Sequence, residues 1–384
     1  MIPASTPPQR TINLALQGGG SHGAFTWGVL DALLADPRIA IEGISGASAG
    51  AVNAVALADG YARAQAAGTD PRQAARESLA RVWGEVSALG HIGALQKGVA
   101  SLLWGAIPKE LAPTNFFASA MQGWFSPYQS NPLDINPLRE LLTRLIDFKA
   151  LGALQSPRVF VSATHVNTGK AALFTGADVT PQAVMASACL PMLFQAVEID
   201  GQHYWDGGYS VNPALTPLID HCASADIVLV QINPLRREDT PRTPADILDR
   251  VNELTFNASL LTQVRSIDFI NRLLAEGSLR GSRCRRVLLH RIDGGEAIQH
   301  YPASSRASAD PDLIQALFKL GQTSGQEWLQ KHFMALGQRS TVDIGQDYLD
   351  DTRLDSLPRP HHGQPPPPRR GLKSLISRLF GRRA

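Results

Sequence analysis

The chain has 384 residues and a mass of 41.3 kDa, and 44% of its residues are hydrophobic while 18% are charged. This composition excludes a disordered protein and can bury a large core. The 36 basic and 34 acidic residues give a formal net charge of +2, which argues against a dedicated nucleic-acid binder. Three cysteines are too few for a disulfide framework or a Cys-rich zinc site, so we expect a reducing compartment.

The sequence shows no pattern typical of a secretory signal or of a membrane-spanning segment. Residues 1–9 lack a basic region followed by an apolar stretch, so no secretory signal is predicted. No apolar segment approaches the roughly 20 residues needed to span a bilayer. We therefore expect a cytoplasmic protein whose contact with a membrane would be peripheral.

Strands and helices alternate over the first 70 residues. The pattern predicts a buried strand over 11–17 that ends in three glycines, and then a helix over 24–35. A second strand over 39–45 leads through another glycine-rich turn into an alanine-rich helix that ends near residue 67. This alternation is typical of an α/β fold with a mainly parallel central sheet.

The middle of the chain predicts an insertion followed by more strands. Aromatic residues accumulate between 83 and 137, which we interpret as a helical insertion that caps the sheet and contributes to an acyl-chain pocket, to the core, or to both. Hairpin patterns follow at 158–175 and 195–205. Further predicted elements are strands at 226–233 and 286–292 and a long helix at 244–276.

The C-terminal region differs in kind from the rest of the chain. A proline-rich linker occupies 346–368, and residues 369–384 contain six basic and no acidic residues. Residues 1–368 therefore carry a net charge of −4 and the tail +6. In a helix the tail would form one apolar stripe, flanked by Lys373 and five arginines, from the residues Leu372, Leu375, Ile376, Leu379 and Phe380. We expect it to lie on an anionic membrane or lipid granule; docking onto a partner or the body, or a disordered basic end, are the alternatives.

The first chemical motif is a glycine-rich loop between the first strand and the first helix. It consists of Gly18, Gly19, Gly20, Ser21, His22 and Gly23, and it satisfies the G-x-G-x-x-G pattern of a dinucleotide-binding turn. The second strand does not end in the acidic residue that such a site needs. A nucleotide-binding oxidoreductase is therefore the least favoured alternative.

The second motif is a G-x-S-x-G turn between the second strand and the second helix. It is formed by Gly46, Ala47, Ser48, Ala49 and Gly50. A sharp strand–turn–helix elbow of this kind presents a nucleophilic serine at a helix N-terminus, where negative charge is favoured. A plain Gly/Ser-rich turn is the bland alternative. If Ser48 is a nucleophile, the first glycine loop becomes its oxyanion hole, because bare backbone amides can reach the developing charge.

A nucleophilic serine needs a base, and two kinds are available. His221, His290, His300 and His332 could complete a triad, although none lies in a recognisable turn motif. Asp206 ends a predicted strand and is followed by Gly207 and Gly208, so the backbone can bend its carboxylate towards Ser48. Its alternative reading is an ordinary Asp-Gly turn.

These motifs in this order resemble the patatin-like phospholipase family over roughly residues 11–295. The resemblance includes the block ASACLPMLF at 186–194. It implies a three-layer α/β/α fold and a Ser–Asp dyad, with Ser48 as nucleophile and Asp206 as base. It also implies Gly18–Gly23 as oxyanion hole, no metal or cofactor, and lipid acyl esters as substrates, as in a phospholipase A or lysophospholipase. His22 departs from the family, in which many members carry Lys or Arg, and an imidazole that is only partly charged would alter pH dependence and head-group preference.

The predicted organisation follows from these motifs. A polar lead covers 1–10, the acyl hydrolase domain covers 11–345 with its cap at 83–137, and the linker and tail complete the chain. Two further functions stay open at this point: a hydrolase of another acyl ester such as a storage polyester, and a catalytically idle lipid-binding scaffold. The sequence predicts no nucleic-acid partner and no particular oligomeric state.

Overall fold

The computed structural model describes residues 9–104, 126–237, 239–279, 284–301, 305–306 and 308–349, with the backbone alone at 90–104, 130 and 245. Nearly all of the predicted linker, the whole predicted tail and part of the predicted cap, residues 105–125, lie outside the described residues. The tail residues predicted to contact a membrane are among them.

Eight strands form one sheet in the order β5-β6-β3-β2-β1-β7-β8, with β4 paired to β3. The strands are β1 (Arg10–Leu16), β2 (Ile39–Ala47), β3 (Arg158–His165), β4 (Ala171–Thr175), β5 (Val197–Ile199), β6 (Gln202–Asp206), β7 (Asp226–Gln231) and β8 (Leu288–Asp293). The pairs β1–β2, β1–β7, β2–β3 and β7–β8 are parallel, and β4, β5 and β6 add antiparallel pairs at one side. The parallel strands therefore end at one common edge of the sheet.

Eleven α-helices lie in the described part of the chain. They are α1 (Gly23–Ala35), α2 (Ala49–Ala67), α3 (Pro71–Trp104), α4 (Pro127–Ser130), α5 (Pro137–Leu145), α6 (Phe148–Ala153), α7 (Pro181–Ser187), α8 (Thr216–His221), α9 (Pro244–Ala275), α10 (Gly295–Gln299) and α11 (Pro311–His332). Helix α3 carries the start of the predicted cap, and Trp83 on it is buried in the main core.

Alternating side chains of the central strands divide the core into two layers. On β1, Leu14 and Leu16 belong to a cluster with side chains of α1, α2, α3 and α11, whereas Ala15 belongs to a second cluster with side chains of α8 and α9. On β7, Val228 and Leu229 divide in the same way. Because successive strand residues point to opposite faces, helices cover both faces of the sheet. The predicted three-layer α/β/α fold is confirmed.

The register along β3 positions the end of β6 beside the end of β2. Strand β4 runs along one edge of β3, and Ala163 and Thr164 pair with both β4 and β6. Strand β6 must therefore lie on the other edge, which β2 occupies as far as the pair Ala47–Ser162. The next residue of β3, Ala163, pairs with Asp206. Strands β2 and β6 thus meet nearly end to end, and Asp206 lies next to the turn that follows Ala47.

The elements predicted from sequence agree with the structure, with one substantial addition. All eight strands and helices α1, α2 and α9 fall where the apolar patterns and turns predict them. Helix α11 is not among the predicted elements, although Asp310 caps it and Pro311 occupies its first turn, a recognisable start signal. It packs on α1 through glycines: a side chain on Gly321 would collide with the Phe25 carbonyl, and one on Gly325 would lie 2.9 Å from the Ala32 Cβ.

Candidate active site

Ser48 occupies a strained turn between β2 and α2. Its φ of 53° is one of three positive values among the described non-glycine residues, and such a conformation persists only when its surroundings hold it in place. The neighbouring Gly50 lies against the Leu16 carbonyl, where any side chain would collide. The Ser48 amide donates to the Ser187 hydroxyl at 2.9 Å. Ser48 is 9% exposed, so the hydroxyl lies at a shielded site at the carboxyl edge of the sheet.

Asp206 presents a buried carboxylate to this turn. Its Oδ1 accepts from the Gly208 amide at 2.7 Å, and Gly207 allows the chain to pass against the Ser162 carbonyl. Burial raises the pKa of Asp206 to about 6, while the nearby Ser48 hydroxyl and the hydrogen bond from the Gly208 amide partly offset the increase. Within the described part of the chain, Oδ2 is buried without a hydrogen bond of standard geometry, so the Ser48 hydroxyl approaches the carboxylate without completing one.

The glycine-rich loop lies beside Ser48 and keeps part of its backbone unbonded. A side chain on Gly18 would begin 2.7 Å from the Ser48 Cβ. The Gly18 amide donates to Asn212 Oδ1 at 2.6 Å, and the amides of His22 and Gly23 donate within the turn. The amides of Gly19, Gly20 and Ser21 donate to no other described residue. Of the six residues predicted for an oxyanion hole, these three present backbone donors near the start of α1 that no described residue accepts.

Buried amide side chains fix the base of the loop. Gln17 Oε1 accepts from the amides of Ile232 and Asn233, both at 3.0 Å, and Gln17 Nε2 donates to Asn257 Oδ1 at 3.1 Å. Asn233 Nδ2 donates to the Gly18 carbonyl at 2.8 Å. None of these amide groups titrates in the physiological range, so the loop keeps its hydrogen bonds across a wide pH range.

His22 is neutral, so the expectation of a partly charged imidazole is wrong. It is 1% exposed, and its Nε2 is hydrogen-bonded to Ser305 Oγ at 2.8 Å. Burial and the charges of Arg306 and Arg237 lower the pKa of His22 to about 3. This position of the loop, where the resemblance implies Lys or Arg, thus carries no charge at neutral pH.

The four histidines considered for a triad are engaged elsewhere. His290 Nε2 bonds Asp226 Oδ1 at 2.9 Å, and Asp226 begins β7, at the opposite edge of the sheet from Ser48. His332 contacts Trp328, whose ring also lies edge-on to the His290 ring, and His221 stacks on Phe160. His300 lines a separate cavity. The structure thus brings Asp206 to Ser48 and holds these histidines in other contacts.

Sequence reasoning missed several residues that position the site. Ser187 lies within the block 186–194, so its place in the motif was visible but its role was not. Asn212 follows the Asp-Gly-Gly turn closely, whereas Asn233 and Asn257 carry no local signal because they reach the loop from β7 and α9. In the described ranges there is no cluster of three or more metal-binding side chains, and no helix is both long and apolar enough to cross a membrane.

This arrangement of a strand–turn–helix serine, a buried carboxylate and unbonded loop amides has the layout of a serine hydrolase site on an α/β/α fold. The family model described as patatin-like phospholipase matches residues 14–219, more than half of the chain, and the chain belongs to this family. Membership implies lipid acyl hydrolase activity. Among solved structures, VipD from Legionella pneumophila is 16% identical with a TM-score of 0.41, over 90% of this chain and 74% of that one. A search of curated proteins gave no match.

Proposed function

We propose that the chain is a serine acyl hydrolase that cleaves carboxylic esters of lipids, of the phospholipase A or lysophospholipase type, through a Ser48–Asp206 dyad. The observation that carries the proposal is the meeting of these two side chains at the carboxyl edge of the sheet. The shielded Ser48 hydroxyl approaches a carboxylate whose Oδ1 is already held by Gly208. This leaves Oδ2 as the oxygen that accepts the proton.

The reaction begins when Ser48 Oγ attacks the ester carbonyl carbon and its proton passes to Asp206 Oδ2. The carbonyl oxygen becomes an oxyanion, which the amides of Gly19, Gly20 and Ser21 bind. Collapse of the intermediate breaks the ester bond, and Asp206 returns the proton to the leaving alcohol. Water then attacks the acyl-enzyme with Asp206 again as base, which releases the fatty acid and restores Ser48. The raised pKa of Asp206, about 6, makes it a better base near neutral pH than an ordinary carboxylate.

We also propose a peripheral attachment to an anionic membrane or lipid granule through residues 369–384. The charge of the tail and its apolar stripe support this attachment. It would bring the active site to substrates that gather at a lipid–water interface.

The test is labelling with a fluorophosphonate, followed by mass mapping of the modified residue. We expect one label on Ser48, none in Ser48→Ala, and normal labelling in the matched control Ser45→Ala, which removes a buried serine from β2, the strand that leads into the Ser48 turn. Because labelling needs the ionised base, its rate should rise as pH increases through about 6. Phospholipid, neutral-lipid and polyester substrates of several chain lengths would then define the substrate class.

Two results would contradict the proposal. A wild-type protein that takes no label and hydrolyses none of these esters would favour the idle lipid-binding scaffold. Binding of NAD(P), together with absence of label, would favour the oxidoreductase alternative instead.

A further inference from the structure

A segment distant in sequence packs against the glycine-rich loop. Arg306 packs against Gly20. The Arg306 Cβ lies 3.2 Å from the point where a Gly20 side chain would begin, and the Arg306 carbonyl is closer still. Gly20 has a φ of +57° at this contact. A residue with a side chain would be strained at this position and would collide with the backbone of Arg306. Ser305 bonds His22 at 2.8 Å, and the Tyr301 ring lies edge-on to the His22 ring.

The Arg306 side chain lies in a cluster of charged residues in which arginines outnumber carboxylates. It is 11% exposed, and its Nη2 lies 3.4 Å from Glu253 Oε1. The same carboxylate accepts from Arg237 at 2.6 Å and from Arg250 at 3.1 Å. Three arginines thus share one buried glutamate, and with the further negative charge of Asp249, which also acts on Arg306, the cluster has an excess of one positive charge. The Arg306 Nε is buried and bonds no other described residue.

Arg306 is the member of this cluster whose backbone and Cβ lie against the loop, at Gly20. Arg237, Arg250 and Glu253 line a cavity of about 870 Å³, and Arg306 is not among its lining residues. The side chains of Arg237 and Arg250 are 24% and 20% exposed, against 11% for Arg306, so solvent screens their charges more than that of Arg306. The positive field reaches the loop, because the same arginines Arg306 and Arg237 help to lower the pKa of the His22 imidazole. A field that disfavours a cation at this position favours an anion there.

We propose that Arg306 is a positioning residue of the oxyanion loop: its backbone fixes the Gly20 turn, and its guanidinium supplies the positive charge that the neutral His22 does not. The charge stabilises the oxyanion held by the loop amides and needs no direct contact with the substrate. This inference rests on the proposed serine acyl hydrolase function.

The test compares Arg306→Met, Arg306→Lys and the matched control Arg250→Met. Arg250→Met removes a cation from the same carboxylate but on the cavity side. We expect Arg306→Met to lower kcat on a soluble ester and the rate of phosphonate labelling about tenfold, with KM nearly unchanged, since oxyanion stabilisation acts in the transition state. Arg306→Lys should retain most of the activity, and Arg250→Met should remain within about twofold of wild type.

A second measurement does not depend on activity. The His22 ring nitrogens are followed by NMR from pH 4.5 to 8, with thermal unfolding to verify that each variant folds. Wild type should show no titration of His22, whereas in Arg306→Met the imidazole should begin to protonate at the acidic end. Arg306→Lys keeps the charge and should match wild type. If the Met variant is unstable, Arg306→Gln provides the measurement without the charge.

The outcomes separate the two proposals. Equal losses of activity in the Lys and Met variants would mean that the shape of Arg306 matters and its charge does not. An unchanged His22 titration in Arg306→Met would mean that the charge does not reach the loop. Either result overturns the inference while wild-type labelling of Ser48 still supports the proposed function, and absence of that labelling would contradict the proposed function itself.

Discussion

At the scale of single residues, the environment of Asp206 is what would let the proposed Ser48–Asp206 dyad work near neutral pH. An exposed aspartate is a weak base at neutral pH, because its reference pKa is about 3.9. Removal from water raises the pKa of Asp206 to about 6. The burial lowers the stability of the folded protein, because above that pH the folded protein keeps a buried negative charge that is fully solvated in the unfolded chain.

This loss of stability predicts that Asp206→Asn stabilises the protein. Because the amide cannot act as a base, the same substitution should abolish labelling of Ser48. The folded-state pKa lies above the unfolded value, so the native state binds the proton more tightly and loses stability as pH rises from about 4 to 6. The amide removes this loss. Above pH 6 we expect the free energy of unfolding of Asp206→Asn to exceed that of wild type by about 1–3 kcal/mol, and the difference should vanish near pH 4. Urea unfolding as a function of pH measures it.

Asp59 provides the contrasting control. It is also fully buried, but its carboxylate is paired with Arg63 at 2.7 Å and accepts from Ser78 at 2.9 Å. Replacement with Asn should therefore destabilise the protein, by at least about 1 kcal/mol. A loss of stability in Asp206→Asn similar to that in Asp59→Asn would contradict the assignment of a strained, functionally poised carboxylate.

Residues whose role depends on the local chain could be predicted from sequence, and residues that meet across the fold could not. The Ser48 elbow and the Asp206 turn each consist of neighbouring residues, so their spacing predicts their geometry. The pKa of His22 is lowered first by burial and then by the charge of Arg306, which is 284 positions away in the chain. No local pattern carries that contact, and burial of an ionisable group shifts its pKa only after the surrounding layers have assembled.

At the scale of secondary-structure elements, helix α1 connects the loop to the rest of the fold. It begins directly after the glycine-rich turn, and its opposite face packs on α11 at a very short backbone separation. Gly28 on α1 lies against the Phe318 carbonyl, and Gly321 on α11 lies against the Phe25 carbonyl. Helices approach this closely only where glycines remove the intervening side chains. The position of the loop therefore depends on a helix that lies beyond residue 219, where the family match ends.

This contact predicts opposite effects of one added methyl group at two helical glycines. Gly321→Ala has no space for its methyl group and should lower the free energy of unfolding by about 1–3 kcal/mol. Gly84→Ala on α3 is the matched control, because nothing lies within 4 Å of its added Cβ, and it should stabilise by about 0.5–1 kcal/mol through helix propensity. Urea unfolding of both variants measures this. Equal stability of the two variants would contradict the close packing of α1 on α11.

At the scale of the whole molecule, the described core extends well past the family match. Strand β8 pairs with β7 over six residues, helix α9 fills one face of the sheet, and Tyr348 donates to the buried Gln231 at 2.8 Å. A chain ending at 219 would lack β7, β8 and α9, and it would expose the edge of β1 that pairs with β7 and the apolar face of the sheet that α9 covers. The chain also divides by charge: residues 1–368 carry a net charge of −4, and residues 369–384 carry +6.

This division predicts that the tail binds lipid and that the body performs catalysis. Deletion of residues 369–384 should abolish co-sedimentation with vesicles containing anionic phosphatidylglycerol, while hydrolysis of a soluble ester remains unchanged. The charge attraction contributes roughly 1 kcal/mol per cation near the surface, so binding of the full chain should weaken with added salt and be much lower on neutral phosphatidylcholine vesicles.

A charge-preserving variant tests whether the apolar stripe is needed. Leu375→Ser combined with Leu379→Ser keeps all six cations and removes two apolar side chains from the face that would enter the lipid. Burial of a leucine contributes roughly 1.5–3 kcal/mol, so this variant should bind anionic vesicles at least tenfold more weakly than the full chain if the tail inserts as an amphipathic helix. Equal binding of the double variant and wild type would show a purely electrostatic attachment, and equal binding of the deletion variant would exclude the tail as the anchor.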